Sequence, residues 1–535
     1  MNLAPAFTTA TAFLASTEKD LDECEVLLRR AIEMVRGALH GPRPKASDAD
    51  SGGGAAELAS SGPIRSLALP RQVRASRYSV IRTIERILFT FLVLAVTSFM
   101  ALVLIGLLAS KEMSGVISDA DARALRFEPL APAFEFQRGL KLVGVATVES
   151  SNQGMSVALS VDGNTAIVGA PGPNDADRNK SPFAEPAGAA WVFTRSGETW
   201  SKQPNKLVGS SNESGGGLWS RGAAVAVSAD GSTAIVGGPS DNRTTGAAWV
   251  FSRNGGVWTQ QGGKLVGSYR LGESALPLGQ GMAVALSGDG NTAIVGGWRT
   301  EGAWVFTRSG DVWIQQGNKL VGTGAVGTAR QGMSVALSGD GNTAIVGGWS
   351  DNNRIGAAWV FTRSNGIWMQ QGQKLVGAGA DGSAHQGTSV ALSADGNTAI
   401  VGGPGDNRGG RSVPFGLGAA GAAWVFTRSG GVWRQEGDKL VSNGAPGSAR
   451  QGMSVALSGD GNTALVGGLA DDGGGAASLF SRSGGQWTQS KKLVGTGAMT
   501  MSAVSLSGDG SMALIGAPNH SGGVGATWVF AGTSK

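Results

Sequence analysis

Cysteine, tyrosine and histidine are nearly missing from this chain of 535 residues, which has one Cys, two Tyr and three His. A single cysteine, Cys24, rules out a disulfide framework. Proline is sparse at 18, and the 88 glycines follow no Gly-X-Y period, so a collagen-like rod is excluded. Charge is scarce as well: 16% of residues are ionisable Asp, Glu, Lys or Arg, the net charge is only +5, and hydrophobic content is 41%, which argues against wholesale disorder. What is abundant is glycine and, in one part only, tryptophan. All 15 Trp lie after residue 190, so the chain is built from unlike regions.

The first region ends in an apolar run. Residues 87–109, ILFTFLVLAVTSFMALVLIGLLA, carry no charge. At ~1.5 Å rise per residue they reach ~34 Å, enough to cross a ~30 Å hydrocarbon layer. The alternative, a buried core helix, seldom runs six turns without a polar face. Before the run stand Arg65, Arg71, Arg74, Arg77, Arg82 and Arg86 against Glu85 alone; after it Lys111, Arg123 and Arg126 meet Glu112, Asp119, Asp121 and Glu128. The arginine excess places residues 1–86 in the cytoplasm and the remainder outside it. Within 1–86, the text predicts a helix over about 17–39 with Thr17 as its N-cap, and a flexible linker over about 41–80. The helix has an apolar stripe that includes Cys24, and it either self-associates or lies on the membrane. Residues 110–133 read as a stalk.

From residue 134 onward one unit repeats. KLVG or KLVS begins at Lys141, Lys206, Lys264, Lys319, Lys374, Lys439 and Lys492, at spacings of 53 to 65 residues. Asp-Gly begins at Asp162, Asp230, Asp289, Asp340, Asp395, Asp460 and Asp509, and WVF at Trp191, Trp249, Trp304, Trp359, Trp424 and Trp528, with SLF at Ser478 in the remaining copy. Within a unit, QGMSVALS, the turn GDGN and TAIVGG make one hairpin. GAAWVF, the turn RSNG and IWMQQ make a second. Four antiparallel strands, a to d, repeated seven times predict an all-β, seven-bladed β-propeller of four-stranded blades over 134–535, preceded by the single transmembrane helix and the short N-terminal helix. The chain enters on strand-d text, AFEFQRGLKLVG, and ends on strand-c text, GATWVF. Residues 134–144 are therefore expected to pair with 526–530 and close the ring, leaving no raw sheet edge there.

The unit resembles the FG-GAP repeat, the propeller blade of integrin α-subunit heads and of many bacterial surface proteins, over roughly residues 134–535. VGAP stands at Val168–Pro171 and IGAP at Ile515–Pro518, beside SVALSGDGNT and WVF text. The pattern departs where the family has Phe-Gly: here Gln-Gly stands at Gln153, Gln280, Gln331, Gln386 and Gln451, and Arg-Gly at Arg221. The resemblance implies a surface module for adhesion or scaffolding. Family members with integrin-like loops bind calcium through DxDxDG, whereas GDGN offers one carboxylate per copy, too few for the six to eight oxygens that calcium takes. The Asp-Gly pair reads as a turn.

Chemistry is thin. The repeat region holds His385 and His520, no cysteine, and no GxSxG or HExxH text, so no catalytic set, metal or cofactor is expected. Its small positive charge has no cluster that suggests nucleic acid. In a propeller the b-to-c and d-to-a loops share one face, and these vary most in length, which is where binding functions sit. Two features there are candidates. Gln153, Arg221, Gln280, Gln331, Gln386 and Gln451 open strand a and could ring the mouth of the central channel, binding a sugar or peptide; alternatively each Gln bonds the neighbouring blade's backbone. Trp298 and Trp349 stand where GAP has Pro, and could stack on sugar rings or pack between blades. The DNR-like text at Asp175, Asp241, Asp351 and Asp406 reads as exposed ion pairs that fix loops and contribute little. Two functions fit: a membrane-anchored, extracytoplasmic, non-catalytic module that binds protein or glycan, or an envelope hydrolase or lyase acting on polysaccharide from the same face. The Gly- and Ala-rich style suggests a bacterial envelope.

Overall fold

A computed structural model describes residues 141–144, 151–172, 188–210, 222–268, 279–297, 299–407, 418–444, 447–471, 474–495, 500 and 503–532. The expected transmembrane span 87–109, the helix 17–39, the linker and the stalk lie outside these. No helix among the described residues is long and apolar enough to cross a membrane.

The repeat folds as its text suggests. In the fourth unit, strands a (Ser334–Leu337), b (Thr343–Gly348), c (Ala357–Ser364) and d (Ile367–Gln370) form one antiparallel sheet in that order. The same order recurs in six four-stranded sheets, and a seventh has three described strands. Each strand a touches the strand a of both neighbours, all the way round, so the a strands line the axis of a seven-bladed ring. The turn between a and b requires glycine: Gly341 sits at φ +67°, where a side chain is strained.

The cores lie between blades. Strand b, TAIVGG, is buried on both faces because it is the middle of a sheet sandwiched between two others. Its side chains alternate accordingly: Ala344 and Val346 join Ile294, Val305 and Leu320 of the third blade, whereas Ile345 joins Val390, Val401 and Trp424 of the fifth.

The WVF tryptophan locks each blade to its predecessor. Trp359 is fully buried, its indole N–H donates to the Thr323 carbonyl at 2.8 Å, and its ring lies on Gly322 of the preceding KLVG. A Cβ on Gly322 would come 2.1 Å from Trp359 Cδ1, so any larger residue must displace the indole. The same Gly–Trp contact joins Gly267 to Trp304 and Gly377 to Trp424. The two irregular copies in the sequence explain each other here. KLVS ends at Ser442 and SLF begins at Ser478, and these two hydroxyls hydrogen-bond in the place of the Gly–Trp pair.

Ring closure follows the predicted phase. Leu142 N–H donates to the Thr527 carbonyl at 2.8 Å, and Thr527 N–H to the Leu142 carbonyl at 3.2 Å. Thr527 immediately precedes Trp528, which is where Leu320 pairs with Ala303 and Leu375 with Ala358 in other blades. The first KLVG thus supplies the last blade's missing strand position; residues 134–140 lie outside the described set. A second closed circuit runs through the residue before each Asp-Gly. The N–H groups of Val161, Ala229, Gly288, Gly339, Ala394, Gly459 and Gly508 each donate to the next member's carbonyl, with Gly508 returning to Val161, at 2.7 to 3.1 Å.

Candidate functional site

The two faces of the ring differ in what they leave available. On the face of the a-to-b turns, every Asp of the Asp-Gly pairs is bound by its own hairpin. In the fourth blade Ser338 Oγ donates to Asp340 Oδ1 at 2.5 Å, Asn342 N–H to the same oxygen at 2.9 Å, and Asn342 Nδ2 to Oδ2 at 3.0 Å. Ser338 Oγ also accepts from Thr343 N–H at 2.9 Å, which sets the start of strand b. Partial burial pushes each of these seven carboxyls up, but the Ser hydroxyl, the backbone N–H and the Asn or Ser side chain outweigh it and hold all seven below the ordinary Asp value. The c-to-d turns are tied in as firmly. Arg363 donates to Asn342 Oδ1 at 3.0 Å and to Gln316 Oε1 at 3.1 Å, and lies over Trp368, whose indole N–H shares that Gln316 oxygen. The same set recurs in the third and fifth blades, and in the sixth Glu436 takes the place of the glutamine, so much of the polar surface of this face is engaged within the fold.

The opposite face carries the b-to-c loops and the d-to-a connections, as their contacts show: Glu301 of one loop accepts from Arg330 N–H at 2.9 Å, and the Arg354 carbonyl of another accepts from His385 N–H at 2.9 Å. Of the two readings of the glutamines, the geometry matches the bonding of a neighbouring blade's backbone and not an open ring of amides. Gln331 is buried; its Oε1 accepts from Gly322 N–H at 2.6 Å and its Nε2 donates to the Gly322 carbonyl at 2.9 Å. Gln153, Gln280 and Gln386 grip Gly144, Gly267 and Gly377 in the same two-point way, and Gln451 accepts from Ser442 N–H at 2.6 Å. A carboxamide has one donor and one acceptor edge, which matches a backbone N–H and C=O, so each Gln clips the end of one blade to the first strand of the next. Arg221 and Trp298 lie outside the described residues.

Trp349 is half-buried on this face. The Arg330 guanidinium lies 5.6 Å from its ring centroid and the His385 ring meets it edge-on at 5.1 Å. The indole therefore holds side chains from two successive d-to-a connections. The DNR-like aspartates also differ from expectation: Asp241, Asp351 and Asp406 are buried rather than exposed, and pair with Lys264, Lys374 and Lys439 at 2.7, 2.5 and 2.6 Å. Asp351 and Asp406 also accept backbone N–H groups of the adjoining connection, from Val326 and Asp381. Asp175 lies outside the described residues. In the last blade His520 takes the aspartate's place, with its Nε2 2.9 Å from Lys141 Nζ.

No family model matches the chain, and no curated protein matches it. Solved structures similar to it include hydrazine synthase of Kuenenia stuttgartiensis, at 12% identity and a TM-score of 0.43 over 74% of this chain and 100% of that one. A protein from Lactobacillus plantarum aligns at 15% identity and a TM-score of 0.44 over 67% of this chain and 88% of that one. Likeness this slight says nothing about chemistry.

Residues missed in the sequence stand one place before each glutamine. Asn152, Arg330, His385 and Arg450 all have left-handed backbones, with φ of +54°, +56°, +58° and +54°. The text that marks them is the position before Gln-Gly, which reads Asn, Gly, Arg, His and Arg in the five units that have Gln-Gly. Among the described residues no group of three or more His, Cys, Asp and Glu side chains is placed to hold a metal ion.

Proposed function

We propose that this chain is a single-pass membrane protein that displays a propeller of the FG-GAP kind outside the cytoplasm and binds protein or glycan there without turning it over. The observation that carries the reading is the inequality of the two faces. One has turns that are near-identical from blade to blade, with every turn Asp hydrogen-bonded within its own hairpin and, in the third to fifth blades, Arg, Asn and Gln side chains bonded among themselves. The other bears loops of varied length and the Arg330–Trp349–His385 cluster, which no repeat of the fold demands. Display outside the cytoplasm rests on the uncharged run 87–109 and the arginines that precede it.

The test uses the full-length chain in detergent, presented to panels of envelope glycans and proteins, with product analysis of every ligand that binds. Saturable binding with the ligand recovered intact is the expected result; a ligand recovered cleaved replaces the binding module with an enzyme. Protease added to intact cells should degrade the propeller, and a protected propeller would reverse the orientation.

A further inference from the structure

We infer that the outer edge of the fourth blade docks a second copy of this chain, the two d strands pairing antiparallel about a two-fold axis at Trp368. The contact goes beyond the ligand reading above and does not depend on it.

Strand d ends each four-stranded sheet, and no described strand pairs beyond it. An edge of this kind is a template for another chain, and proteins commonly blunt it with charged or otherwise unsuitable residues. At the two outward positions of strand d stand Thr199 and Ser201 in the first blade, Val257 and Thr259 in the second, Val432 and Arg434 in the fifth, and Gln486 and Thr488 in the sixth. Only the third and fourth blades put large apolar residues at both. Val312, Ile314, Ile367 and Met369 are 63, 60, 66 and 68% exposed, more than any other large apolar side chain among the described residues. The fold does not call for them, since the same strand forms with Ser, Thr or Arg in the second place. Apolar side chains grouped on a surface, unlike single ones, mark a contact.

The backbone decides which contact. In the fourth blade Asn365 and Gly366 make a two-residue turn with φ of +50° and +78°, so Ser364 and Ile367 close the hairpin as a hydrogen-bonded pair. The residues of strand d that bond to strand c are then Ile367, Met369 and Gln371. In keeping with this, Gln371 N–H donates to the Val360 carbonyl, and Arg363, opposite Trp368, turns its N–H the other way to the Asn342 carbonyl, both at 2.8 Å. The N–H and C=O of Trp368 and of Gln370 therefore point out from the open edge. Trp368 can exchange both bonds with the Trp368 of a second copy. That register sets Ile367 opposite the second copy's Met369 and Met369 opposite its Ile367, so each outward apolar side chain meets another on the same face of the joined sheet. An axis at Gln370 would satisfy the same backbone groups but oppose Met369 to Gln371. The strand and its turn carry no charge, so the two-fold brings no like charges together; the third blade has Asp311 in the equivalent turn. Between the rims of the third and fourth blades a groove of about 420 Å³, lined in part by Leu320, Val321, Phe361, Ile367 and Trp368, gives the second copy's indole apolar surface to pack on. Contact along one short strand is small, which places the dimer in the weak class of interfaces.

The experiment follows the mass of the full-length chain in detergent by analytical ultracentrifugation from about 1 to about 100 μM. Beside it runs Met369→Arg, which copies the fifth blade. The unaltered chain should pass from monomer to dimer, and Met369→Arg should raise the dissociation constant by at least about tenfold while unfolding at the same temperature. Register is read from Cys24→Ser chains that carry Ile367→Cys or Met369→Cys. Opposed residues of a non-hydrogen-bonded pair have Cα atoms ~4.5 Å apart, within disulfide reach. The two chains mixed and oxidised should form a linked dimer, and neither should do so alone. A chain monomeric throughout, a dimer indifferent to Met369→Arg, a mixture that does not link, or equal linking by one variant alone would each overturn the inference, and none of these bears on whether the loop face binds a ligand.

Discussion

Ring closure includes the pairing of Leu142 with Thr527, almost 400 positions away in sequence, and Leu142→Ala tests it. Leu142 is 3% exposed and packs with Phe193, Leu514 and Val529 across the junction of the last and first blades. Truncating a buried Leu to Ala costs about 2–5 kcal/mol. Taking about 2–3 kcal/mol of that as lost from the closure itself, the population with the segment detached should rise roughly 30- to 150-fold. The reporter is the Thr527 amide, which donates to the Leu142 carbonyl and is exposed to exchange only when the segment leaves. Hydrogen exchange followed at Thr527 should therefore quicken by about two orders of magnitude. Leu320→Ala is the control: Leu320 makes the same pairing with Ala303 and is similarly buried, but its partner belongs to the same blade and is close in sequence. Exchange at Ala303 should respond less. An unchanged Thr527 amide in Leu142→Ala would show that the segment contributes nothing to closure and refute the reasoning.

Three further outcomes are expected. His520→Asp restores the carboxylate that faces the KLVG lysine in the second, fourth and fifth blades, and should slow Thr527 exchange by an amount in keeping with an exposed ion pair, about 0.2–1 kcal/mol; faster exchange would count against the pairing. The seven turn aspartates have carboxyls held below the ordinary value in the folded chain. Their contribution is thus fully present above the unfolded value of about 3.9 and is lost as pH falls through the lower folded values. Denaturant midpoints should hold level from neutrality to about pH 5 and drop below about pH 4, less steeply in Asp340→Asn; a midpoint that rose on acidification would contradict this. Gly377→Ser should destabilise the fold because Trp424 occupies the Cβ position, and adding Trp424→Ser should recover part of the loss, copying Ser442 and Ser478; a double variant as weak as the sum of the singles would deny the coupling.

By itself the sequence determined the number of blades, the strand order within each and the phase of closure. These depend on period-two alternation, turn chemistry and the count of recurring words, all local or repetitive signals that survive without coordinates. It also marked Trp349 and the Gln-Gly positions as unusual, but not what they do. An amide side chain reads the same whether it faces a channel or clips a neighbouring strand; only the placement of Gly322 opposite Gln331, brought there by the turn from one blade into the next, decided it. The compensation of Ser442 by Ser478 was invisible for the same reason, since the two words are 36 residues apart and touch only because adjacent sheets stack. The burial of Asp351 and the left-handed backbones of Arg330, His385 and Arg450 were likewise decided by tertiary structure: both arise where one blade's loop meets the next blade's first strand, and no residue's own propensity records which neighbour the ring will press against it.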